Sequence, residues 1–214
     1  MASTLEKPPG LPVFPPHADP SGDCVLRRLL ADQPARREQD WPTGFEGGIA
    51  HRLDISTSGA LLCADTPDEL VRIRAAFSSG AFTKTYRLLV AKDVPWDTNR
   101  CERPIAHDRR KRGRMIVQRG PSTPHRGKWY PAHTRFRRIN GRLFEAVITT
   151  GVMHQIRVHA AFVGIPLEGD RRYGGGAPDA ERPELAPFRL HHVGLSGAGL
   201  HTKPFTLPAW AKGA

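Results

Sequence analysis

At 214 residues, with 39% hydrophobic and 25% charged side chains, the chain has the length and composition of one globular domain, and wholesale disorder is excluded. A formal charge of +11 and a pI near 10.3 favour a polyanionic partner, RNA or DNA, over a surface that is merely solubilising. Composition alone does not choose between RNA and DNA.

The cysteine pattern points to a reducing compartment. Cys24, Cys63 and Cys101 are odd in number and widely spaced, so they form neither a disulfide framework nor a C-x-x-C metal pair. No stretch approaches the roughly 18 to 20 apolar residues of a membrane span, and residues 1–10 lack the pattern of an export signal. We therefore expect a cytoplasmic location, with no export and no membrane insertion.

The first elements in chain order are an irregular lead-in and a short helix. Prolines recur from Pro8 to Pro20, and each fixes φ and removes a backbone donor, which predicts irregular structure over about 1–22. Asp23–Asp32 carries apolar residues at helical spacing, and Pro34 ends the helix that this pattern predicts. Neither an internal repeat nor an interdomain linker is visible, so we expect a single domain over 1–214.

The middle of the chain alternates strand and helix patterns. Ala60–Ala64 predicts a buried strand, and the following Thr66-Pro67-Asp68-Glu69 supplies an N-cap, a proline at the first helical position and a capping-box glutamate. A helix is expected from Pro67 to about Phe77, with Gly80 as its stop. Thr83–Ala91 then predicts a strand that places Tyr86, Leu88 and Val90 on one face.

The last elements are a hairpin and a helix. Thr134–Ile139 and Leu143–Thr149 flank Asn140-Gly141, which predicts a type I′ turn and antiparallel pairing. Met153–Val163 has helical character, with Gly164 as a plausible C′ residue. The whole pattern predicts a mixed α+β fold.

A polar segment rich in turn-forming residues, His51–Gly59, precedes the Ala60–Ala64 strand, and such loops often carry reactive side chains. Considered alone, Asp54 is better explained as the centre of an Asx turn. The segment, however, resembles the H-R-L-D-x-x-T-S-G signature of the RluA branch of the RsuA/RluA pseudouridine synthase family at every specified position. A nine-residue pattern with seven fixed positions is selective, so the functional interpretation is preferred.

Further motifs of the same family follow in order. Glu6–Leu11 is similar to its N-K-P-x-G-L opening, Lys84-Thr85-Tyr86 to its K-x-Y strand, and His154–His159 to its H-Q-I-R-V-H helix start. Gly169–Gly174 resembles G-D-x-x-Y-G, and Arg189–His191 resembles the closing R-L-H. The resemblance covers nearly the whole chain and implies a mainly antiparallel β-sheet core with flanking helices and loops.

Two departures from the family pattern stand out. The family usually has T-G-R before its H-Q-I-R-V-H string, whereas this chain has Thr150-Gly151-Val152, which puts substrate contacts near Val152 in doubt. Many larger relatives also contain an RNA-binding S4 domain. Only 50 residues precede His51, so we expect no S4 domain here.

The resemblance assigns roles to individual residues. It implies that Asp54 is the catalytic carboxylate, that Tyr86 packs over the target base as a proposed general base, and that Arg157 pairs with Asp54. From the residues alone, a core aromatic is the slightly favoured interpretation of Tyr86, and a solvated helix residue is the alternative for Arg157. Further substrate contacts are expected from a second set of residues: His51, Arg52, Thr57, His154 and Gln155.

The implied chemistry explains these residue types. Isomerising uridine breaks the C1′–N1 bond, turns the uracil and rejoins it through C5, and a carboxylate serves either at C1′ or as a base on the sugar. Neither route needs a metal or redox cofactor, so none is expected. The target base must be flipped out of its stack, and Arg52 either fills the vacated space or contacts a phosphate.

Basic clusters predict the RNA-binding surface. Arg109–Arg114 contains five basic residues within six, of which Arg110, Lys111 and Arg112 are the central phosphate-binding candidates. Arg135, Arg137 and Arg138 are further candidates, and Lys128-Trp129-Tyr130 adds aromatics suited to stacking. A run of charge is more often a solvated face, but this density favours an anionic partner and a loop that orders on RNA.

Two rival classes remain. The first is a catalytically idle RNA-binding protein on the same fold. The second is a metal hydrolase, suggested by ten histidines, but His154 and His159 are five apart, which does not align them on a helix as H-E-x-x-H aligns its pair. We expect a structured RNA partner, ribosomal or transfer RNA, and a monomeric protein.

Overall fold

The computed structural model describes residues 2–176 and 188–212. The strands, in chain order, are β1 (Ser3–Lys7), β2 (Ser58–Cys63), β3 (Thr83–Leu89), β4 (Thr98–Cys101), β5 (Ile105–Asp108), β6 (Met115–Val117), β7 (His125–Tyr130), β8 (Thr134–Asn140), β9 (Leu143–Ile148), β10 (Leu190–Gly197) and β11 (Leu200–His201). The α-helices are α1 (Val25–Asp32), α2 (Pro67–Ser78) and α3 (Gln155–Phe162). The predicted α+β class with a mainly antiparallel sheet core is confirmed.

The chain folds into two compact units. The first contains Met1–Lys84 and His192–Thr206, and the second contains Thr85–His191 and Leu207–Ala214. The division falls within β3 and within β10, so each unit uses two separate stretches of the chain. The single catalytic domain expected over 1–214 stays a prediction.

The first unit begins with a strand that the sequence did not predict. β1 pairs antiparallel with β2, with Lys7 opposite Gly59. The irregular lead-in over 1–22 is therefore wrong for its first residues, since the prolines that suggested it begin only at Pro8. β2 is buried along its whole length. Gly59 is required there, because a Cβ would lie 2.0 Å from the carbonyl oxygen of His192.

Both helices of the first unit begin at side-chain caps. Cys24 Sγ accepts a hydrogen bond from the Arg27 N–H at 3.4 Å, so α1 starts at Val25 rather than at Asp23. Thr66 Oγ1 accepts from the Glu69 N–H at 3.3 Å, which confirms the predicted N-cap of α2. Glu69 in turn accepts from the N–H of Asp65, at 2.8 Å, one residue before the expected partner.

The second unit contains the predicted hairpin, with a different turn. β8 and β9 pair antiparallel and β4 joins the other side of β8. Asn140 lies opposite Leu143, so Gly141 and Arg142 form the turn. The type I′ assignment is wrong, because Gly141 has positive φ (46°) whereas Asn140 and Arg142 do not.

A three-stranded sheet in the order β6-β5-β7 also lies in this unit, and α3 packs against β6. The β5–β6 turn carries the basic residues 109–114. Helix α3 is shorter than expected at its start, and Gly164 follows it with φ of 91°, as predicted. Across the described ranges, no helix has the length and apolarity to cross a membrane.

Candidate active site

Asp54 lies in a tight turn directly before β2. The carbonyl oxygen of Asp54 accepts a hydrogen bond from the Thr57 N–H at 2.9 Å, which closes the turn. The Asp54 side chain is half-buried, Ile55 is 53% exposed, and Thr57 is buried at the entry to the strand. The turn therefore places a carboxylate at the end of a rigid, buried strand.

The side chain of Lys7 holds this turn through hydrogen bonds to backbone carbonyl oxygens. Its fully buried ammonium group donates to the carbonyl oxygens of Ile55 and Thr57, each at 2.7 Å, and to that of Pro8 at 3.0 Å. The Gly10 N–H donates to the Ile55 oxygen at 2.9 Å. Burial lowers the pKa of Lys7 to about 8, and the nearby Asp54 carboxylate opposes the shift. Lys7 entered the sequence argument only as part of a motif, and its positioning role was missed.

The residues on either side of Asp54 differ in exposure. Arg52 is exposed, as a residue that reaches RNA must be. The ring of His51 instead packs 5.2 Å from that of Phe77, and its Nε2 accepts from the Leu62 N–H at 3.1 Å. Burial lowers the pKa of His51 well below its usual value, so the ring is neutral. This geometry supports a packing role for His51, and its contact with RNA stays a prediction.

Strand β3 carries Tyr86 as expected. Alternate residues of the strand, Lys84, Tyr86 and Leu88, are buried, and Tyr86 is 7% exposed. Burial also lowers the pKa of Lys84 to about 8. The buried face of β3 therefore combines a phenol with an amine, and the proposed proton-transfer role of Tyr86 stays a prediction.

Arg157 has a carboxylate partner within the second unit. Its Nε and Nη2 donate to the two carboxylate oxygens of Asp170 at 2.7 and 3.0 Å, and both residues are buried. The guanidinium carbon also lies 4.1 Å from the ring centroid of Phe188. Such a bidentate pair fixes the arginine plane. The motif that contains Asp170 did not predict this role, and the pairing of Arg157 with Asp54 stays a prediction.

The start of α3 is held by side chains that the sequence marked for substrate contact. His154 adopts left-handed backbone geometry with φ of 57°, and its Nδ1 lies 2.9 Å from the Tyr173 hydroxyl. The Gln155 amide group makes four hydrogen bonds, accepting from Thr150 and Val152 and donating to His133 and Thr134. Its hydrogen-bonding capacity is used internally, which supports a structural role.

Comparison with known proteins identifies the family. A family model described as RNA pseudouridylate synthase matches residues 2–162. The chain belongs to this family. It is 34% identical over 175 residues to ribosomal large subunit pseudouridine synthase D of Yersinia pestis, covering 80% of this chain and 49% of the relative. It is also 36% identical over 174 residues to an uncharacterized RNA pseudouridine synthase of Chloroflexus aurantiacus, covering 78% of this chain and 50% of the relative.

The fold agrees with this membership. Human RNA Pseudouridylate Synthase Domain Containing 4 superposes with a TM-score of 0.72 at 21% identity, covering 98% of this chain and 87% of that one. At this identity the likeness concerns the fold. The chain spans about half the length of the two bacterial relatives described above.

Family members act on RNA, and the basic turn of this chain is shaped to present its charges. The Asp108 carboxylate accepts from the backbone N–H groups of Arg110 and Lys111 at 2.8 and 3.2 Å, and Arg172 donates to the Gly113 carbonyl oxygen. The side chains of Arg109–Arg112 are exposed. Hydrogen bonds within the turn and one from Arg172 thus fix its backbone, while the ordering of the turn on RNA stays a prediction.

The other basic candidates divide into engaged and exposed residues. Arg138 pairs with Asp93 and Asp97 at 2.6 and 2.9 Å, and Arg137 pairs with Glu145 at 2.8 Å. Arg135 is exposed on β8. The two ion pairs of Arg138 support a structural role for this residue, and phosphate contacts by Arg135, Arg137 and the β5–β6 turn stay a prediction.

The two histidines considered for a metal site, His154 and His159, make hydrogen-bonding contacts within the protein. His159 Nδ1 lies 2.8 Å from Thr134 Oγ1 and its Nε2 lies 2.9 Å from the Arg103 carbonyl oxygen, so the ring connects α3 to β8 and to the loop between β4 and β5. Within residues 2–176 and 188–212, no group of three or more His, Cys, Asp or Glu side chains is arranged to hold a metal ion. The metal-hydrolase interpretation finds no support in this part of the chain.

Proposed function

We propose that this chain isomerises uridine to pseudouridine in RNA, with Asp54 as the catalytic carboxylate. One observation carries the proposal: the H-R-L-D-x-x-T-S-G segment forms a closed turn, held by buried Lys7, in a chain that belongs to the RNA pseudouridylate synthase family. A carboxylate on a loop fixed by a rigid scaffold is the arrangement that such catalysis requires.

The reaction conserves all atoms of the uridine. The C1′–N1 bond breaks, the uracil turns, a C1′–C5 bond forms, and the C5 proton leaves while N1 gains one. Asp54 acts either as a nucleophile at C1′ or as a base on the sugar. Tyr86 packs over the base and moves a proton, and Arg157 orients the carboxylate of Asp54. The sequence of steps consumes no redox equivalent, so no cofactor is assigned.

The substrate is a structured RNA. The target uridine must leave its stack to reach Asp54, and the cost of a few kcal/mol is least in loops and bulges. The exposed Arg52 and the β5–β6 turn supply cationic contacts. The Yersinia pestis relative is named for pseudouridine synthesis in the large ribosomal subunit, which supports ribosomal RNA, with transfer RNA as the other candidate. We assign a monomer in the cytoplasm.

Asp54→Asn tests the catalytic assignment, because the amide keeps the size of the side chain and removes its charge. Turnover is followed as tritium released from C5 of labelled uridine in RNA that lacks pseudouridine. We expect undetectable release with RNA affinity within a few fold of wild type. Asp68→Asn, at an exposed residue in the first turn of α2, is the matched control and should retain activity.

Two results would overturn the proposal. Release near the wild-type rate by Asp54→Asn would remove Asp54 from the chemistry. If the unmutated protein binds RNA but releases no tritium from total cellular RNA that lacks pseudouridine, the protein is a catalytically idle RNA binder. Val152, where the family usually has arginine, then becomes the first residue to examine.

A further inference from the structure

A cavity of about 480 Å³ lies in the second unit beside the basic turn. Its apolar walls come from β6 and α3, and they include Met115, Val117, Val158, Ala161 and Phe162. The volume falls in the range of roughly 300 to 1,000 Å³ that is usual for small-ligand sites. Asp54, Tyr86 and Arg157 do not line it.

The rim of the cavity is strongly cationic. Four arginines line it, Arg109, Arg110, Arg114 and Arg119, against the carboxylate of Asp108. One oxygen of that carboxylate already accepts two backbone N–H groups of the turn. The charge therefore selects an anionic occupant.

Arg114 has a hydrogen-bond donor to spare. Its Nε is buried and has no hydrogen-bond partner in the described part of the chain, and it lies 4.0 Å from Asp108 Oδ2, beyond hydrogen-bonding distance. Its guanidinium carbon lies 5.6 Å from the centroid of the Tyr173 ring, which also lines the cavity. Because Arg114 lines the cavity, the charge of its guanidinium group would attract an oxyanion bound there.

An exposed aromatic completes the site. Phe162, at the end of α3, is 40% exposed although it is a large apolar side chain. Aromatic faces of this kind stack on nucleobases, and arginines beside them hold the phosphates. A purely lipidic occupant would not use four guanidinium groups, and an inorganic anion would not use the apolar walls.

We propose that this cavity binds one nucleotide of the substrate RNA other than the uridine that is isomerised, with its base between the apolar walls and its phosphate at the arginines. The inference rests on the proposed function for its RNA ligand. Because stacking uses the faces of the base, the cavity accepts different bases and anchors the RNA strand while the target uridine is flipped.

The ε-methyl NMR signals of methionine provide a direct test. The chain has three methionines, Met1, Met115 and Met153; of the two that the structure describes, Met115 lines the cavity and Met153 does not. We expect AMP, added to the full-length protein, to shift the Met115 signal saturably and to leave that of Met153 unchanged. Adenosine alone or inorganic phosphate alone should need at least about tenfold higher concentration than AMP to give the same shift of the Met115 signal, because each makes only part of the contacts.

Two variants connect the signal to the cavity. Ala161→Trp fills the space and should abolish the saturable shift, whereas Val71→Trp, at an exposed site on α2, is the matched control and should preserve it. Phe162→Ala removes the stacking face without filling the cavity. This variant should weaken the binding of AMP at least about tenfold. It provides the test if Ala161→Trp does not fold.

RNA identifies the natural occupant. Ribosomal RNA should displace AMP from the wild-type protein, and Ala161→Trp should raise KM for tritium release several fold with little change in kcat. The inference is overturned if Met115 does not respond to AMP, if phosphate alone is equally effective, if Ala161→Trp responds like wild type, or if RNA leaves AMP bound. Asp54→Asn should keep the AMP response, so a failure of the catalytic assignment is distinguishable from a failure of this site.

Discussion

His159 shows how one buried side chain makes the fold sensitive to pH. Burial, opposed by the Arg103 carbonyl, lowers the pKa of His159 from 6.5 to about 4. Between these values the unfolded chain binds a proton that the folded protein does not. The contribution of the neutral ring to the free energy of unfolding is therefore fully present above about pH 6.5 and is lost as the pH falls toward 4.

His159→Gln removes this titration. We expect the free energy of unfolding of the wild type to fall by about 2 kcal/mol more than that of the variant between pH 7 and pH 5. Urea unfolding at each pH measures the difference, and His17→Gln, at an exposed histidine, is the control. Parallel pH profiles for wild type and His159→Gln would show that folding does not lower the pKa of His159.

At the scale of elements, the catalytic turn depends on a strand that is distant in sequence. Lys7 ends β1, and its ammonium group donates to the carbonyl oxygens of Ile55 and Thr57, which are 48 and 50 residues away in sequence. The pairing of Lys7 with Gly59 holds the two strands in the register that makes these contacts possible. The position of Asp54 is thus set by β1 as much as by its own loop.

Lys7→Met keeps the length of the side chain and removes all three donors. We expect a loss of about 3 kcal/mol in unfolding free energy, because three carbonyl groups lose a charged partner and the contact with Thr57 is buried. Turnover, measured by tritium release at saturating RNA, should fall more than RNA affinity, since the turn that carries Asp54 is released. Lys92→Met, at an exposed lysine, is the control. Wild-type turnover in a folded Lys7→Met protein would contradict the positioning role.

At the scale of the whole molecule, the formal charge of +11 predicts binding that depends steeply on salt. Each phosphate that the protein neutralises releases counterions, so log Kd rises linearly with log salt. The exposed β5–β6 turn concentrates this charge. A flat dependence would remove the argument for a polyanionic partner.

Replacing Arg110, Lys111 and Arg112 together with alanine should weaken binding to RNAs of different sequence alike. The slope of log Kd against log salt should fall by roughly 2 to 3, about one for each phosphate that the variant no longer neutralises. Fluorescence anisotropy with labelled RNA over a range of salt measures it. Replacing Arg37, Lys92 and Lys203 with alanine removes the same charge from exposed sites elsewhere. Equal slopes for the two triple variants would make the turn an ordinary charged surface.

The sequence by itself determined the α+β class, the α2 N-cap at Thr66, the β8–β9 hairpin and the segment around Asp54. These features depend on side chains close in sequence, whose spacing repeats or caps an element. The predicted type of the hairpin turn was wrong, because the register of β8 against β9 places the turn one residue later than expected. Register depends on packing along the whole strand.

Only the tertiary structure decided which polar residues are used inside the protein. Lys7, Gln155 and Asp170 satisfy groups 13 to 50 residues away, and the strand β1 forms only because β2 is there to pair with it. A buried polar group must find a partner wherever the fold brings one, and sequence spacing does not specify that partner. For the same reason the cavity beside the basic turn, assembled from β6, α3 and Tyr173, has no signature in the sequence.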